Sequence, residues 1–242
     1  MPAGSRSSSA RRDNYSRQTL RPLNCLVFIL PLLLFFQIGT AYYGTALFAP
    51  RDLHKLLRYF GATAAYLPVV LIVAVLLTQH LARRDPWQVR PKALAGMFAE
   101  SMVWAAPLVA MNYLTGLLPA AAAEPGAENA LRQILTSVGA GIYEEFIFRL
   151  IFISLIMLIF VDVFELRKDV VAVLTVIVSA VLFGLYHFSG AQLLGGQGFS
   201  WPRLLFFTTA GVYLGGLFVF RGFGVAVGAH AAYNIYVFVC AS

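Results

Sequence analysis

The chain has 242 residues, of which 60% are hydrophobic and only 12% charged, and its formal net charge is +7. Soluble domains contain about 25% charged and about 45–50% apolar residues. The composition therefore excludes a disordered protein, a secreted disulfide scaffold and an ordinary soluble enzyme. It predicts an all-α, polytopic transmembrane helical bundle of about seven spans, because seven spans of roughly 20 residues use most of the chain.

The first half of the chain combines a polar tail with three apolar segments. Residues 1–22 are rich in serine and arginine and predict a disordered basic tail. Glu100 is an ionisable group at membrane depth that belongs to no motif. The region 23–130 is predicted to hold transmembrane helices without a recognised motif, at 23–49, 56–81 and 93–118.

The second half, 131–242, is predicted to form the helical core that carries the chemistry. A glycine-rich loop at 190–199 interrupts it. Two glycine pairs four residues apart, Gly211 with Gly215 and Gly224 with Gly228, favour close approach of neighbouring helices. Four spans are predicted here, at 131–160, 170–188, 204–220 and 223–241.

The placement of the positive charges predicts an orientation rather than a polyanionic partner. Lys and Arg concentrate in the tail, the 82–92 loop and the 161–169 turn, which marks these segments as cytoplasmic. A basic stretch at 51–58 favours the opposite orientation. We expect an integral protein of a prokaryotic inner membrane with a cytoplasmic N-terminus. No nucleic-acid partner is expected, because no basic stripe is interleaved with aromatic residues.

Charged residues in the fourth apolar segment are the first sign of a site. Glu145 and Arg149 are four residues apart and can pair on one helix face. Glu144 points about 100° away and lacks that partner. A carboxylate without a partner at membrane depth suits a proton-accepting base.

Two later segments add polar groups at helical spacing. Phe183 and His187 are four residues apart at the end of the fifth span, and His230 and Asn234 are four apart in the seventh. The chain has only four histidines, and two of them lie in separate apolar segments. Together with the glutamate pair, they predict one functional constellation within the membrane.

The order and spacing of these residues resemble those of a known family. Glu144-Glu145-x-x-x-Arg149, Phe183-x-x-x-His187 and His230-x-x-x-Asn234 are similar to the motifs of the CPBP family. Its members are the CaaX-protease and bacteriocin-processing glutamic intramembrane proteases, also called the Abi family. The resemblance covers about residues 131–241.

The resemblance implies a role for each residue and no cofactor. Glu144 corresponds to the general base that activates a water, and His187 to its partner. His230 and Asn234 correspond to the groups that stabilise the oxyanion. Glu145 and Arg149 correspond to the pair that orients the helix of the first glutamate, and Phe183 supports the site. Peptide hydrolysis requires an activated water and donors aimed at the developing negative charge, as this set supplies.

The implied substrate is a membrane-anchored protein or peptide, such as one carrying a CaaX-like end or a C-terminal sorting signal. His187 ends an outward-going span, whereas Glu144 and His230 are expected nearer mid-depth. This difference in depth favours an extracytoplasmic substrate.

Other interpretations of the same residues are open. Glu144, His187 and His230 form a plausible three-ligand zinc set, although the H-E-x-x-H motif is absent. A transporter would also use buried Glu, His and Arg. A catalytically silent scaffold or immunity protein of the same fold is the last alternative.

Overall fold

The computed structural model describes residues 15–43, 67–116, 127–195 and 198–240. Within them the regular secondary structure is helical, without strands. Two helices continue through π-helical turns. The elements are α1 (Pro22–Tyr43), α2 (Leu67–Arg83), α3 (Pro91–Thr115), α4 (Ala127–Glu145, continued to Val163), α5 (Lys168–Tyr186), the short α6 (Gly190–Leu193), α7 (Trp201–Arg221) and α8 (Phe223–Ile235, continued to Cys240).

The helices agree with the predicted polytopic bundle. Five of them are long and apolar enough to cross a membrane, namely Pro22–Tyr43, Pro91–Thr115, Ala130–Val163, Lys168–Tyr186 and Trp201–Arg221. Two more, Pro68–Arg83 and Phe223–Val239, are apolar but shorter. All seven fall on the predicted segments. Residues 56–66 of the second predicted segment, and the basic stretch at 51–58, lie outside the described residues.

The sharp turn between α7 and α8 depends on Gly222. Its φ of 89° lies in the left-handed region that side chains rarely adopt, and a Cβ there would also meet the backbone of Thr19. Its backbone N–H bonds to the carbonyl of Phe218 and so ends α7. The chain therefore reverses within one residue, which sets α8 beside α7.

Helix α8 is the central helix of the bundle. Nearly all of its residues are buried, and it packs against α1, α3, α4 and α7. The predicted glycine pairs lie at helix contacts: a Cβ on Gly224 of α8 would come within 2.6 Å of Met97 Cε on α3, and one on Gly211 of α7 within 2.9 Å of Ala180 Cα on α5. The prediction of close helix approach is confirmed.

An ion pair joins α3, α7 and the N-terminal segment. Arg221 donates from Nε to Glu100 at 3.2 Å and from Nη1 to Ser16 at 3.2 Å. Tyr15 donates its hydroxyl to Glu100 at 3.1 Å. Burial, and then the Glu100 carboxylate, raise the pKa of Tyr15 to about 12, so the phenol remains a donor at physiological pH. Glu100, which matched no motif, therefore has a structural partner.

The same contacts correct part of the predicted tail. Residues 15–19 are helical and Thr19 is fully buried, so the described end of the predicted disordered tail, 1–22, is ordered. The polar composition predicted disorder because it cannot show that this segment contacts Glu100 and Arg221, which are distant in the sequence. Residues 1–14 lie outside the described residues.

Basic residues and the candidate site lie at different ends of the bundle. Arg83 donates to the carbonyl of Leu20, and both line one cavity with Asp162, Lys168 and Gly222. We call this the basic end. Because α5 starts there and α7 finishes there, His187 and the start of α7 lie at the opposite end.

Candidate active site

The two glutamates lie where α4 changes its helical form. Glu144 and Glu145 are the last residues before the π-helical segment Phe146–Ile153. Turns of this kind are frequent at functional sites. One turn earlier, a Cβ on Gly141 would lie 2.9 Å from the backbone nitrogen of Ala231 on α8. The lack of a side chain at Gly141 lets α4 approach α8 closely enough for the glutamates to reach His230.

Glu144 faces both predicted histidines. Its Oε2 atom lies 4.0 Å from His187 Nε2 and 3.8 Å from His230 Nε2. The Glu144 side chain is 16% exposed, so it is largely buried but remains accessible to water. Three residues from α4, α5 and α8 therefore converge on one point. The expected difference in depth between His187 and the other two is wrong, because α5 ends level with Glu144.

Glu145 forms a buried cluster behind Glu144. Its Oε1 atom lies 3.0 Å from Arg149 Nη1 and 2.9 Å from His230 Nδ1, and the Glu145 and Arg149 side chains are completely buried. Arg149 Nη2 donates to the carbonyl of Gly211 on α7. The predicted pairing of Glu145 with Arg149 is confirmed. Its bond to His230 was not predicted, because the sequence gives no signal for a contact between residues 85 positions apart.

The hydrogen bonds fix which imidazole nitrogen carries the proton. His187 Nδ1 lies 2.8 Å from the carbonyl oxygen of Phe183, which can only accept, so this nitrogen is the donor. His230 Nδ1 faces a carboxylate oxygen of Glu145 that also pairs with Arg149, so this nitrogen is the donor as well. With Nδ1–H engaged in this way, each ring turns Nε2 towards Glu144, and His230 could donate from Nε2 only as an imidazolium.

Aromatic rings hold His187 in place. Phe183 lies edge-on to His187, with ring centroids 4.7 Å apart, and its ring lies 4.3 Å from the Arg149 guanidinium carbon. Phe207 of α7 stacks on the His187 imidazole at 3.8 Å and 16°. The sequence indicated Phe183 through its spacing. Phe207 was missed, since one phenylalanine among 20 in the chain carries no signal.

Asn234 lies one turn after His230 on α8. It is 7% exposed, and its amide makes no hydrogen bond with the described residues. The spacing of four places it on the same helix face as His230. Its amide is therefore available to a ligand bound on that face.

The zinc interpretation requires three side chains arranged as ligands around one metal position. In the described part of the chain, no group of three or more His, Cys, Asp or Glu side chains is placed to hold a metal ion. Glu144 Oε2 lies 3.8 Å from His230 Nε2 and 4.0 Å from His187 Nε2, beyond direct hydrogen-bonding distance. A water beside these three atoms can therefore hydrogen-bond to Glu144 and to a histidine.

Comparisons with known proteins identify the same region. A family model described as type II CAAX prenyl endopeptidase Rce1-like matches residues 126–236, which include every residue of the predicted site. This match confirms the resemblance seen in the motifs. No curated protein and no solved structure matches the chain.

Proposed function

The chain carries a domain of the Rce1-like family of type II CAAX prenyl endopeptidases, and we propose that it hydrolyses a peptide bond through a water activated by Glu144. The family and the apolar helices make it a membrane protease at the family level. One observation supports the finer proposal: Glu144 Oε2 faces Nε2 of both His187 and His230 within 4.0 Å.

In the proposed reaction, Glu144 and His187 hold the attacking water. The water oxygen bonds to the substrate carbonyl carbon while one water proton passes to the Glu144 carboxylate. The carbonyl oxygen becomes an oxyanion. When the carbon–nitrogen bond breaks, Glu144 returns that proton to the leaving nitrogen, so the base is regenerated.

His230 and Asn234 would stabilise the oxyanion from α8. Asn234 offers its amide N–H. His230 offers Nε2–H when it is an imidazolium, and the buried carboxylate of Glu145 accepts from Nδ1 and so fixes the orientation of the ring. Glu145 is therefore proposed as a positioning residue for His230. This extends the role that the resemblance implied, which was to orient the helix of the first glutamate.

The proposed substrate is a membrane-anchored or C-terminally tagged protein that reaches the site from the end opposite the basic end. Five basic side chains of the described residues lie at or next to the basic end: Arg83, Arg84, Arg90, Lys92 and Arg221. We propose that the basic end is cytoplasmic, which would open the site to the other side of the membrane.

A comparison of membrane proteomes tests the proposed function. Cells lacking the protein would be complemented with the wild type or with Glu144→Gln. We expect the same uncleaved membrane-anchored precursors in the deletion strain and in the variant, and none with the wild type. Precursors that are processed normally by Glu144→Gln would overturn the proposal.

A further inference from the structure

A cavity of about 700 Å³ lies at the basic end, between α1, α2, α4, α5 and α7, and none of the candidate active-site residues lines it. Leu155 and Leu158 on its wall are 50% and 53% exposed, so the cavity opens sideways towards the lipid. Both π-helical segments of α4, Phe146–Ile153 and Leu158–Val163, contribute to its wall, and such segments are frequent at functional sites. The proposed reaction gives this space no role.

The lining residues of α2 are ordered by polarity. Arg83 ends the helix, Gln79 lies one turn deeper, and Val75 lies one turn deeper again. Residues four apart share a helix face and are about 6 Å apart along its axis. A molecule in the cavity therefore meets a cation at the mouth, an amide below it and a hydrocarbon surface beyond.

Helices α4 and α5 repeat this order. Asp162 and Lys168 lie at the mouth, and Leu150 contributes to the apolar wall. Between them, the Ser154 hydroxyl accepts a hydrogen bond from Gln79 Nε2 at 3.3 Å, so its own proton can be donated to a ligand. A phospholipid has the matching order of groups: a charged headgroup, ester carbonyls that accept hydrogen bonds, and a hydrocarbon chain.

The charges of the lining favour an anionic headgroup. Among the described residues, Lys168 makes no salt bridge, and the Arg83 guanidinium makes one hydrogen bond, to the carbonyl of Leu20 at 3.1 Å. Asp162 is the only carboxylate of the lining, so two positive side chains face one negative side chain. Asp162 can accept a hydrogen bond from a headgroup hydroxyl.

The size of the cavity favours a lipid chain over a protein helix. An α-helix with its side chains is about 10–12 Å wide, so 700 Å³ would hold fewer than about two turns of one. Cavities of about 300–1,000 Å³ are typical of sites for small molecules. An acyl chain is narrow and can enter from the exposed side of α4.

We propose that this cavity binds an anionic phospholipid. Its phosphate would pair with Arg83 and Lys168, its ester carbonyls would accept from Gln79 and Ser154, and one acyl chain would lie against the apolar wall. Basic pockets between transmembrane helices recognise anionic lipid headgroups in this way. The assignment does not depend on the peptidase reaction, because the cavity and the candidate site share no residue.

Lipid binding to the purified protein in neutral detergent tests the proposal. Phosphatidylglycerol and phosphatidylcholine with the same acyl chains would be titrated, and bound lipid would be counted by native mass spectrometry. We expect the wild type to bind phosphatidylglycerol roughly 10-fold more tightly. Arg83→Gln with Lys168→Gln should lose this preference. Arg90→Gln with Lys92→Gln removes the same two charges from exposed positions outside the lining and should keep it.

A second pair of variants tests the cavity itself. Ala172→Trp would fill the cavity from α5 and should remove most phosphatidylglycerol binding. Val173→Trp, at a 60% exposed position outside the lining, should bind as the wild type does.

Three results would each overturn the proposal: equal affinity of the wild type for the two lipids, an unchanged preference in the double variant of Arg83 and Lys168, or undiminished binding by folded Ala172→Trp. Wild-type spectra that show dimers without bound lipid would also overturn it, and would indicate a second copy of the chain as the occupant.

Discussion

His230 Nδ1 lies 2.9 Å from Glu145 Oε1 in a part of the bundle where Glu145 is completely buried. The bond ties the second glutamate of the motif to the histidine on α8, while the first glutamate faces Nε2 of the same ring. One imidazole therefore touches both carboxylates. The two adjacent glutamates therefore have different proposed roles: Glu144 is the base, and Glu145 orients the His230 ring.

Removal of the charge on Glu145 should slow the reaction without weakening substrate binding. In Glu145→Gln, the amide oxygen can still accept from His230 Nδ1, but the bond is no longer made to a charged acceptor and holds the ring less firmly. We expect kcat at neutral pH to fall by roughly 10²–10³, as for loss of one oxyanion donor, with little change in KM.

A paired substitution separates this effect from a simple packing defect. Glu145→Gln leaves Arg149 buried without its carboxylate, which is itself destabilising. The double variant Glu145→Gln with Arg149→Met removes both charges of the ion pair. If the double variant regains neutral-pH activity, unpaired Arg149 explains the loss, and Glu145 has no role through His230.

Substitution of the three converging residues should reduce cleavage more than substitution of Asn234. We expect Glu144→Gln, His187→Ala and His230→Ala each to abolish cleavage in folded protein. Asn234→Ala should lower kcat by roughly 10²–10³, because His230 would still stabilise the oxyanion. Peptide cleavage by purified variants measures this. Full activity in two of the four variants would defeat the assignment of the site.

Phe207 should act on the chemistry through His187. In Phe207→Leu the flat ring stacked on the imidazole at 3.8 Å is replaced by a branched chain that cannot stack. We expect kcat to fall by about 10-fold while KM is unchanged, since His187 loses its fixed orientation. Phe220→Leu, on an exposed position of the same helix, is the control and should behave as the wild type. Equal losses in the two variants would show that Phe207 matters only for stability.

The pair between Glu100 and Arg221 should contribute to stability and not to catalysis. Arg221→Met removes the hydrogen bonds to Glu100 and Ser16. Both charged side chains keep some exposure, so we expect a loss of about 1–2 kcal/mol. Thermal unfolding in detergent measures it, with cleavage per folded molecule unchanged. A fall in kcat at wild-type stability would instead place this cluster in the reaction.

Treatment with a chelator distinguishes the glutamate mechanism from zinc hydrolysis. A water held by Glu144 and His187 needs no metal, so we expect cleavage to continue after treatment with EDTA or 1,10-phenanthroline. Activity that is lost on treatment and restored by added zinc would support the three-ligand zinc interpretation instead.

The sequence predicted the features that arise within single helices. Hydropathy located the segments, and the spacing of four paired Glu145 with Arg149 because residues one turn apart share a face. Contacts between helices could not be predicted in this way. The bond from Glu145 to His230, the stacking of Phe207 on His187 and the pairing of Glu100 with Arg221 all depend on how helices distant in sequence pack. The resemblance supplied the order of the motifs, but not these contacts.

The central claim is that the Glu144 carboxylate activates the water, and single-turnover cleavage by purified protein tests it most directly. Glu144→Gln keeps the size of the side chain and loses its basicity, and Glu165→Gln, at an exposed position in the turn before α5, is the matched control. We expect Glu165→Gln to cleave at the wild-type rate and Glu144→Gln to cleave at least about 10³-fold more slowly. Cleavage by Glu144→Gln within about tenfold of the wild type would contradict the claim.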